Sequence, residues 1–190
     1  MTRTFLAVAL SDHACEALRR EISSLAQALP SVRWVNVASL HLTLAFLGEL
    51  DDERLTAAHE ATQVTAQQEE PFQLALDKLG TFGSPHAPRV IWTGVSGEMD
   101  ELRRIQKTLA GQLDQRGFPP QEHPDYSPHL TLARVKDRLP APELTALQQR
   151  MNKPLAHTAT WTVTTLDVMK SELVRPAARY TTLASYPLGD

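Results

Sequence analysis

The spacing of apolar residues along the chain predicts four helices. In the first, apolar side chains recur three and four residues apart, which places them in one stripe on a helix: Ala14, Leu18, Ile22, Leu25 and Leu29. The third repeats this spacing between Met99 and Leu113. Ser11 or Asp12 suits an N-terminal cap, and Gly117 suits a C-terminal cap. The predicted helices cover residues 12–29, 51–68, 98–115 and 142–151.

Shorter apolar runs between these helices predict strands. They cover residues 5–10, 32–35, 40–47, 72–79, 89–95, 130–135, 158–169 and 179–187. A segment containing Gly80, Gly83, Pro85 and Pro88 reads as a turn-rich connection between two of them. The prolines at 119, 120, 124 and 128 predict a stiff, extended approach to the strand at residue 130.

One five-residue sequence occurs twice, as His41-Leu42-Thr43-Leu44-Ala45 and as His129-Leu130-Thr131-Leu132-Ala133. Because side chains alternate along a strand, each copy presents its histidine and threonine on one face and its leucines on the other. Strand propensity explains leucine and threonine, but gives no reason for a histidine at the same position twice. The repeat therefore predicts an α/β fold of two pseudo-symmetric lobes with a cleft between them, in one domain over residues 1–190.

Composition narrows the possible functions. The formal net charge of −3 argues against a protein that coats long nucleic acids, although a short or terminal phosphate stays open as a target. A single cysteine, Cys15, excludes an internal disulfide framework and favours a reducing cytoplasm. The sequence contains no apolar run of about 18 residues, so we expect no membrane helix. The other histidines lack metal-ligand spacing, and no glycine-rich phosphate loop occurs, so we expect no metal and no nucleotide cofactor.

The paired histidines and threonines have the chemistry for breaking a phosphodiester. Histidine has an unperturbed pKa of about 6.5, so one ring can act as general base while the other acts as general acid. Threonine hydroxyls can donate to the non-bridging oxygens of the phosphate. In-line attack on phosphorus needs a base on the nucleophile's side and an acid on the leaving group's side, and this arrangement requires no metal.

The two copies, with Phe46-Leu47-Gly48 after the first and Ser127-Pro128 before the second, resemble the HxTx motifs of the two-histidine phosphoesterase superfamily. More narrowly, further runs are similar to those of the bacterial RNA 2′,3′-cyclic phosphodiesterases, also called 2′-5′ RNA ligases: residues 88–92, 129–134, 180–183 and 186–188. The resemblance implies an antiparallel-rich sheet in each lobe, with helices on its outer face. It implies hydrolysis of a 2′,3′-cyclic phosphate at an RNA end to a 2′-phosphomonoester, without a cofactor, a membrane or an obligate protein partner.

The same resemblance assigns roles to the motif residues. His41 would be the proton donor and His129 the proton acceptor that activates water, although the near symmetry of the motifs leaves this order open from the sequence. Thr43, Thr131 and Arg134 would bind the phosphate.

Three more residues are candidates for substrate binding. Phe46 stands in the first copy where Arg134 stands in the second, and from strand alternation, before any bulge, we expect both side chains at the cleft. Phe46 could stack on a base or pack in the core. Arg89 and Lys170 are candidate contacts to the RNA backbone, with solvated surface as the alternative.

Two other functions stay open at this point. The site could act on a small cyclic nucleotide, such as ADP-ribose 1″,2″-cyclic phosphate. The chain could also bind RNA ends without catalysis, gripping phosphate in the cleft. Ligation of RNA halves through a 2′-5′ bond, as the reverse of the same chemistry, is a candidate side activity.

Overall fold

The computed structural model describes residues 1–119, 127–151, 153–172 and 178–189. Within them the helices are α1 (Asp12–Ala28), α2 (Asp52–Gln67), α3 (Met99–Asp114) and α4 (Ala141–Arg150), with a 3-10 turn at Val37–Ser39. The strands are β1 (Thr2–Val8), β2 (Arg33–Trp34), β3 (Leu42–Leu50), β4 (Phe72–Ser84), β5 (Ala87–Gly97), β6 (His129–Arg134), β7 (Thr160–Val163), β8 (Thr165–Glu172) and β9 (Arg179–Pro187).

The strands form two sheets, and every pairing between neighbours is antiparallel. The first sheet has the order β3-β1-β8-β9, and the second has the order β2-β6-β5-β4-β7. Each sheet contains one motif strand, β3 or β6, and these two strands contact each other. The predicted fold of two antiparallel-rich lobes is confirmed, with the histidine motifs where the lobes meet.

The helices pack against the sheets on the side away from the motif histidines. On the first sheet, Leu6, Leu42 and Val168 are fully buried beneath α2, which contacts β1, β3, β8 and β9. Two helices follow a strand of one lobe and pack against the other lobe. Helix α1 follows β1 of the first sheet but packs against β7 of the second, and α3 follows β5 of the second sheet but packs against β3 and α2. The buried apolar residues of both lobes consequently form one continuous cluster.

Both predicted helix caps are present. The Ser11 hydroxyl accepts from the backbone N–H of Ala14 at 3.1 Å, at the start of α1. After α3, Gly117 has φ 76° and the Phe118 N–H donates to the Leu113 carbonyl at 3.0 Å. A positive φ at this position favours glycine, which explains why the helix ends there.

Two predictions from the sequence, one of a turn-rich connection and one of a strand, are wrong. The turn-rich segment around Gly80 to Pro88 is instead strand almost throughout, because β4 and β5 pair up to Ser84 and Ala87 and leave only residues 85–86 as the turn. The single strand predicted over residues 158–169 divides into β7 and β8, which belong to different sheets. Pro120 and Pro124 of the predicted extended approach lie outside the described residues.

Candidate active site

The two motif histidines are held in the same way. The Nδ1–H of His41 donates to the carbonyl oxygen of Ser39 at 2.9 Å, and the Nδ1–H of His129 donates to that of Ser127 at 2.8 Å. A carbonyl oxygen can only accept, so Nδ1 carries the proton in both rings. The contact therefore leaves Nε2 of each ring as the atom that can gain or lose a proton toward a substrate.

A bulge at the same place in each motif strand sets which side chains face the cleft. Leu44 is an extra residue of β3 relative to β1, and Leu132 is an extra residue of β6 relative to β5. Each leucine is buried together with the alanine that follows it. The residues after the bulge, Phe46 and Arg134, are thereby returned to the face of the motif threonines.

Strict alternation would place Phe46 and Arg134 on the face opposite the motif histidines, because odd and even positions point to opposite sides of a strand. Strand alternation was therefore the wrong reason to expect both side chains at the cleft, and the bulges bring them there. The apolar pattern of the sequence does not indicate the bulges, since leucine and alanine are ordinary residues of a regular strand.

Aromatic rings surround each motif histidine. The centroid of the His41 ring lies 4.4 Å from that of Phe5 and 4.8 Å from that of Tyr180, and the planes of His41 and Tyr180 meet edge to face at 83°. The His129 ring lies 4.9 Å from Phe82, at 89°, and 6.2 Å from Trp92. These four rings restrict the orientation of the imidazoles.

Sequence reasoning did not assign these rings to the site. Tyr180 and Trp92 entered it only within runs that carried the family resemblance. Tyr180 belongs to the last strand and Phe82 to the segment predicted as a turn, and only the pairing of the strands brings them beside the motifs. Phe82 is 39% exposed, and an exposed aromatic side chain can indicate a binding site. This exposure can be seen only once the fold is known.

Burial favours the neutral form of His41. Desolvation lowers the pKa of His41 from 6.5 to about 4, and the hydrogen bond to the Ser39 carbonyl opposes this shift only in part. The charged form of a buried imidazole loses its hydration, so the neutral form is favoured. Near neutral pH, His41 is therefore uncharged when nothing is bound beside it.

The remaining motif residues lie around the same cleft. Thr43 pairs in register with Ala7, Thr131 pairs with Trp92, and both threonines are half-buried. Phe46 is 67% exposed and its ring lies 5.9 Å from that of Phe5, which also contacts His41. An exposed ring at this position excludes the alternative that Phe46 packs in the core.

The structure does not bring Arg89 and Lys170 to the motif histidines. The Arg89 guanidinium donates to the carbonyl oxygen of Lys136 at 2.9 Å, beyond the end of β6. Lys170 is the register partner of Thr4, the neighbour of Phe5, and its ammonium lies 3.2 Å from Glu172. Because Phe5 points to the cleft, Lys170 lies on the reverse face of the sheet, and its contact to the RNA backbone stays a prediction.

The described part of the chain contains no group of three or more histidine, cysteine, aspartate or glutamate side chains that could hold a metal ion. Among the same residues, no helix has the length and apolar character needed to cross a bilayer.

The chain matches the 2′-5′ RNA ligase superfamily over residues 10–175. It belongs to this superfamily. The resemblance noted in the histidine motifs is thereby confirmed over most of the sequence.

Two relatives within this superfamily are proteins named RNA 2′,3′-cyclic phosphodiesterase. The one from Aeropyrum pernix is 32% identical over 166 residues, which cover 87% of this chain and 92% of the relative. The one from Geobacillus stearothermophilus is 38% identical over 136 residues, which cover 68% of this chain and 41% of that longer relative.

Two solved structures share the complete fold of this chain. The protein TT0787 of Thermus thermophilus has a TM-score of 0.82 and 28% identity, with 99% of each chain covered. Escherichia coli LigT in complex with 3′-AMP has a TM-score of 0.76 and 27% identity, covering 100% of this chain and 99% of the other.

Proposed function

We propose that this superfamily member is an enzyme that hydrolyses RNA 2′,3′-cyclic phosphate ends to 2′-phosphomonoesters by metal-independent catalysis with two histidines. The observation that carries the proposal is the matched pair of imidazoles, one from each sheet. Each has its Nδ1–H bonded to a carbonyl two residues earlier and its Nε2 left for proton transfer. The names of the relatives from Aeropyrum and Geobacillus support the same activity.

In the proposed reaction, His129 removes a proton from water as the water oxygen attacks phosphorus. The bond from phosphorus to the 3′ oxygen breaks, and His41 gives its proton to that oxygen. Thr43, Thr131 and Arg134 bind the non-bridging oxygens, whose charge grows in the transition state. The threonines suit this task because hydroxyls donate without adding charge, and Arg134 adds a charge-assisted contact.

The lowered pKa of His41 bears on its role as donor, since a group with a pKa of about 4 is deprotonated at neutral pH. Restoring the ordinary value of about 6.5 requires roughly 3 kcal/mol of stabilisation of the imidazolium. A phosphodiester anion about 4 Å away supplies about 4 kcal/mol at an effective dielectric constant near 20. The substrate itself therefore suffices to protonate His41 when it binds.

The proposal is tested with a short RNA that ends in a 2′,3′-cyclic phosphate, incubated with the protein in EDTA. We expect hydrolysis to a product that carries a 2′-phosphate. A 3′-phosphate product would reject the proposed regiochemistry, and loss of turnover in EDTA would reject metal independence. Tight binding of the RNA without any product would instead identify an RNA-end binding protein.

The same assay separates the substrate classes that share this chemistry. ADP-ribose 1″,2″-cyclic phosphate, added as a competitor, should be a poorer substrate than the RNA. Incubating the cyclic-ended RNA with a 5′-hydroxyl RNA tests 2′-5′ ligation, in which the 5′ oxygen attacks phosphorus in place of water and the 3′ oxygen leaves; we expect this reaction to be slow. We also place the protein in the reducing cytoplasm, where its single cysteine, Cys15, stays a thiol.

A further inference from the structure

Two arginines lie directly opposite each other at one border of the cleft. Arg33 of the short edge strand β2 is the register partner of Arg134 of β6, and both are exposed. This pair occurs in a chain whose formal net charge is −3, so an overall excess of basic residues does not explain it.

Two more basic residues adjoin this pair. The Arg89 guanidinium donates to the Lys136 carbonyl, and the N–H of Val135 donates to the Arg89 carbonyl, both at 2.9 Å. Arg89 and Lys136 are exposed, as is the acidic Asp137 that follows them. We use the name basic edge for Arg33, Arg89 and Lys136, which adjoin Arg134 of the reacting site.

A carboxylate from α4 fixes the segment of chain that leads into the edge strand β2. The side chain of Glu143 accepts from the Ser31 hydroxyl at 2.7 Å and from the Ser31 N–H at 3.2 Å. This contact anchors the chain two residues before Arg33 and engages the carboxylate with Ser31. The position of Arg33 on the cleft border is thus set from both sides, by Glu143 and by the pairing with β6.

The basic edge continues the face that carries the motif residues. Because of the bulge at Leu132, the cleft face of β6 runs from His129 through Thr131 to Arg134. With a rise of about 3.3 Å per residue, Arg134 starts roughly 7 to 10 Å along the strand from Thr131. A ligand whose reacting phosphate contacts Thr131 and Arg134, and which extends beyond them, would bring its next anionic group to Arg33.

We propose that the basic edge is a second phosphate subsite, which binds the internucleotide phosphate adjacent to the reacting nucleotide of a single-stranded RNA. The inference rests on the proposed hydrolysis and specifies its substrate class as oligonucleotide ends in preference to cyclic mononucleotides. Guanidinium groups suit this ligand because their planar fork binds two phosphate oxygens at once. Arg33 supplies a contact that the reacting phosphate itself does not use.

The experiment compares two substrates that differ by one internucleotide phosphate. They are adenosine 2′,3′-cyclic monophosphate and the dinucleotide ApA with a 2′,3′-cyclic phosphate end. The value of kcat/KM is measured for both, in EDTA and at several salt concentrations. We expect the wild-type protein to prefer the dinucleotide, and Arg33→Gln to reduce that preference about tenfold.

Salt dependence gives a readout that a purely structural role of Arg33 would not change. Losing one phosphate contact should reduce the slope of log kcat/KM against log salt for the dinucleotide by about 0.7. Arg33→Lys should keep most of that slope. The control is Arg19→Gln on α1, an exposed arginine whose ion-pair partner is Glu16, and it should leave both the preference and the slope at the wild-type values.

The possible failures are distinguishable. Equal loss on both substrates in Arg33→Gln, or a wild-type protein without preference, would overturn the second subsite and leave the hydrolase proposal standing. If Arg33→Gln were misfolded, as shown by circular dichroism, Arg89→Gln would decide, since it should reduce the same preference and an unchanged preference would overturn the subsite. A wild-type protein inactive on both substrates would reject the proposed function together with the subsite.

Discussion

The burial of His41 predicts a pH-dependent stability that can be measured without any substrate. Its pKa falls from 6.5 to about 4 in the folded protein because burial disfavours the charged ring. The unfolded chain therefore binds more protons than the folded chain between these two values. The contribution of His41 to stability is fully present above pH 6.5 and is lost as the pH falls toward 4.

The size of this effect follows from the two pKa values. Between pH 7 and pH 5, the linkage of one group with pKa 6.5 unfolded and about 4 folded amounts to roughly 2 kcal/mol of unfolding free energy. His41→Gln removes the titrating group, so the stability of this variant should fall by about 2 kcal/mol less than that of the wild-type protein over the same interval. The difference between the two proteins in this pH-dependent change of unfolding free energy does not contain the contribution of the carboxylates, because they titrate in both.

Urea denaturation at pH 7 and pH 5 measures the difference, with His13→Gln as a control for loss of an exposed histidine. NMR titration of the His41 ring gives its pKa directly, and inorganic phosphate should raise that pKa if an anion binds beside the imidazole. An equal loss of stability in wild type and His41→Gln, or a His41 pKa near 6.5 in the phosphate-free protein, would refute the argument from burial.

Three further predictions concern the catalytic groups and the packing beside them. His129→Ala should lower kcat on a cyclic-ended RNA by about 10² to 10⁴-fold while circular dichroism stays unchanged, and near wild-type turnover would contradict its role as base. Arg134→Gln should lower kcat/KM at least tenfold, measured by initial rates, whereas an unaltered kcat/KM would remove it from the site. Gly80→Ala should cost about 1 to 3 kcal/mol in urea denaturation, because a Cβ there would lie 2.1 Å from the Trp92 indole beside His129. Gly111→Ala, on α3 with open space around it, should instead stabilise by about 0.5 to 1 kcal/mol; equal effects of the two changes would contradict this account.

The parts of the molecule that could be predicted from the sequence depend on residues close together in the chain. Helix α1 and its cap follow from apolar spacing and from Ser11, since a cap and a stripe involve residues close together in the chain. The histidine repeat predicted two related lobes, and each lobe contains one motif strand. The catalytic candidates His41 and His129 depended on the same repeat, because a strand's alternation is also a local property.

Strand pairing decided the rest of the site. The register places Tyr180 and Phe82 beside the histidines, sends Lys170 to the reverse face and sets Arg33 opposite Arg134. The bulges at Leu44 and Leu132 exist only relative to a partner strand, so no pattern within one segment can show them. The sequence by itself therefore determined the elements and the reactive pair, whereas the rings around the histidines, the burial of His41 and the border of the cleft come from contacts between segments distant in the chain.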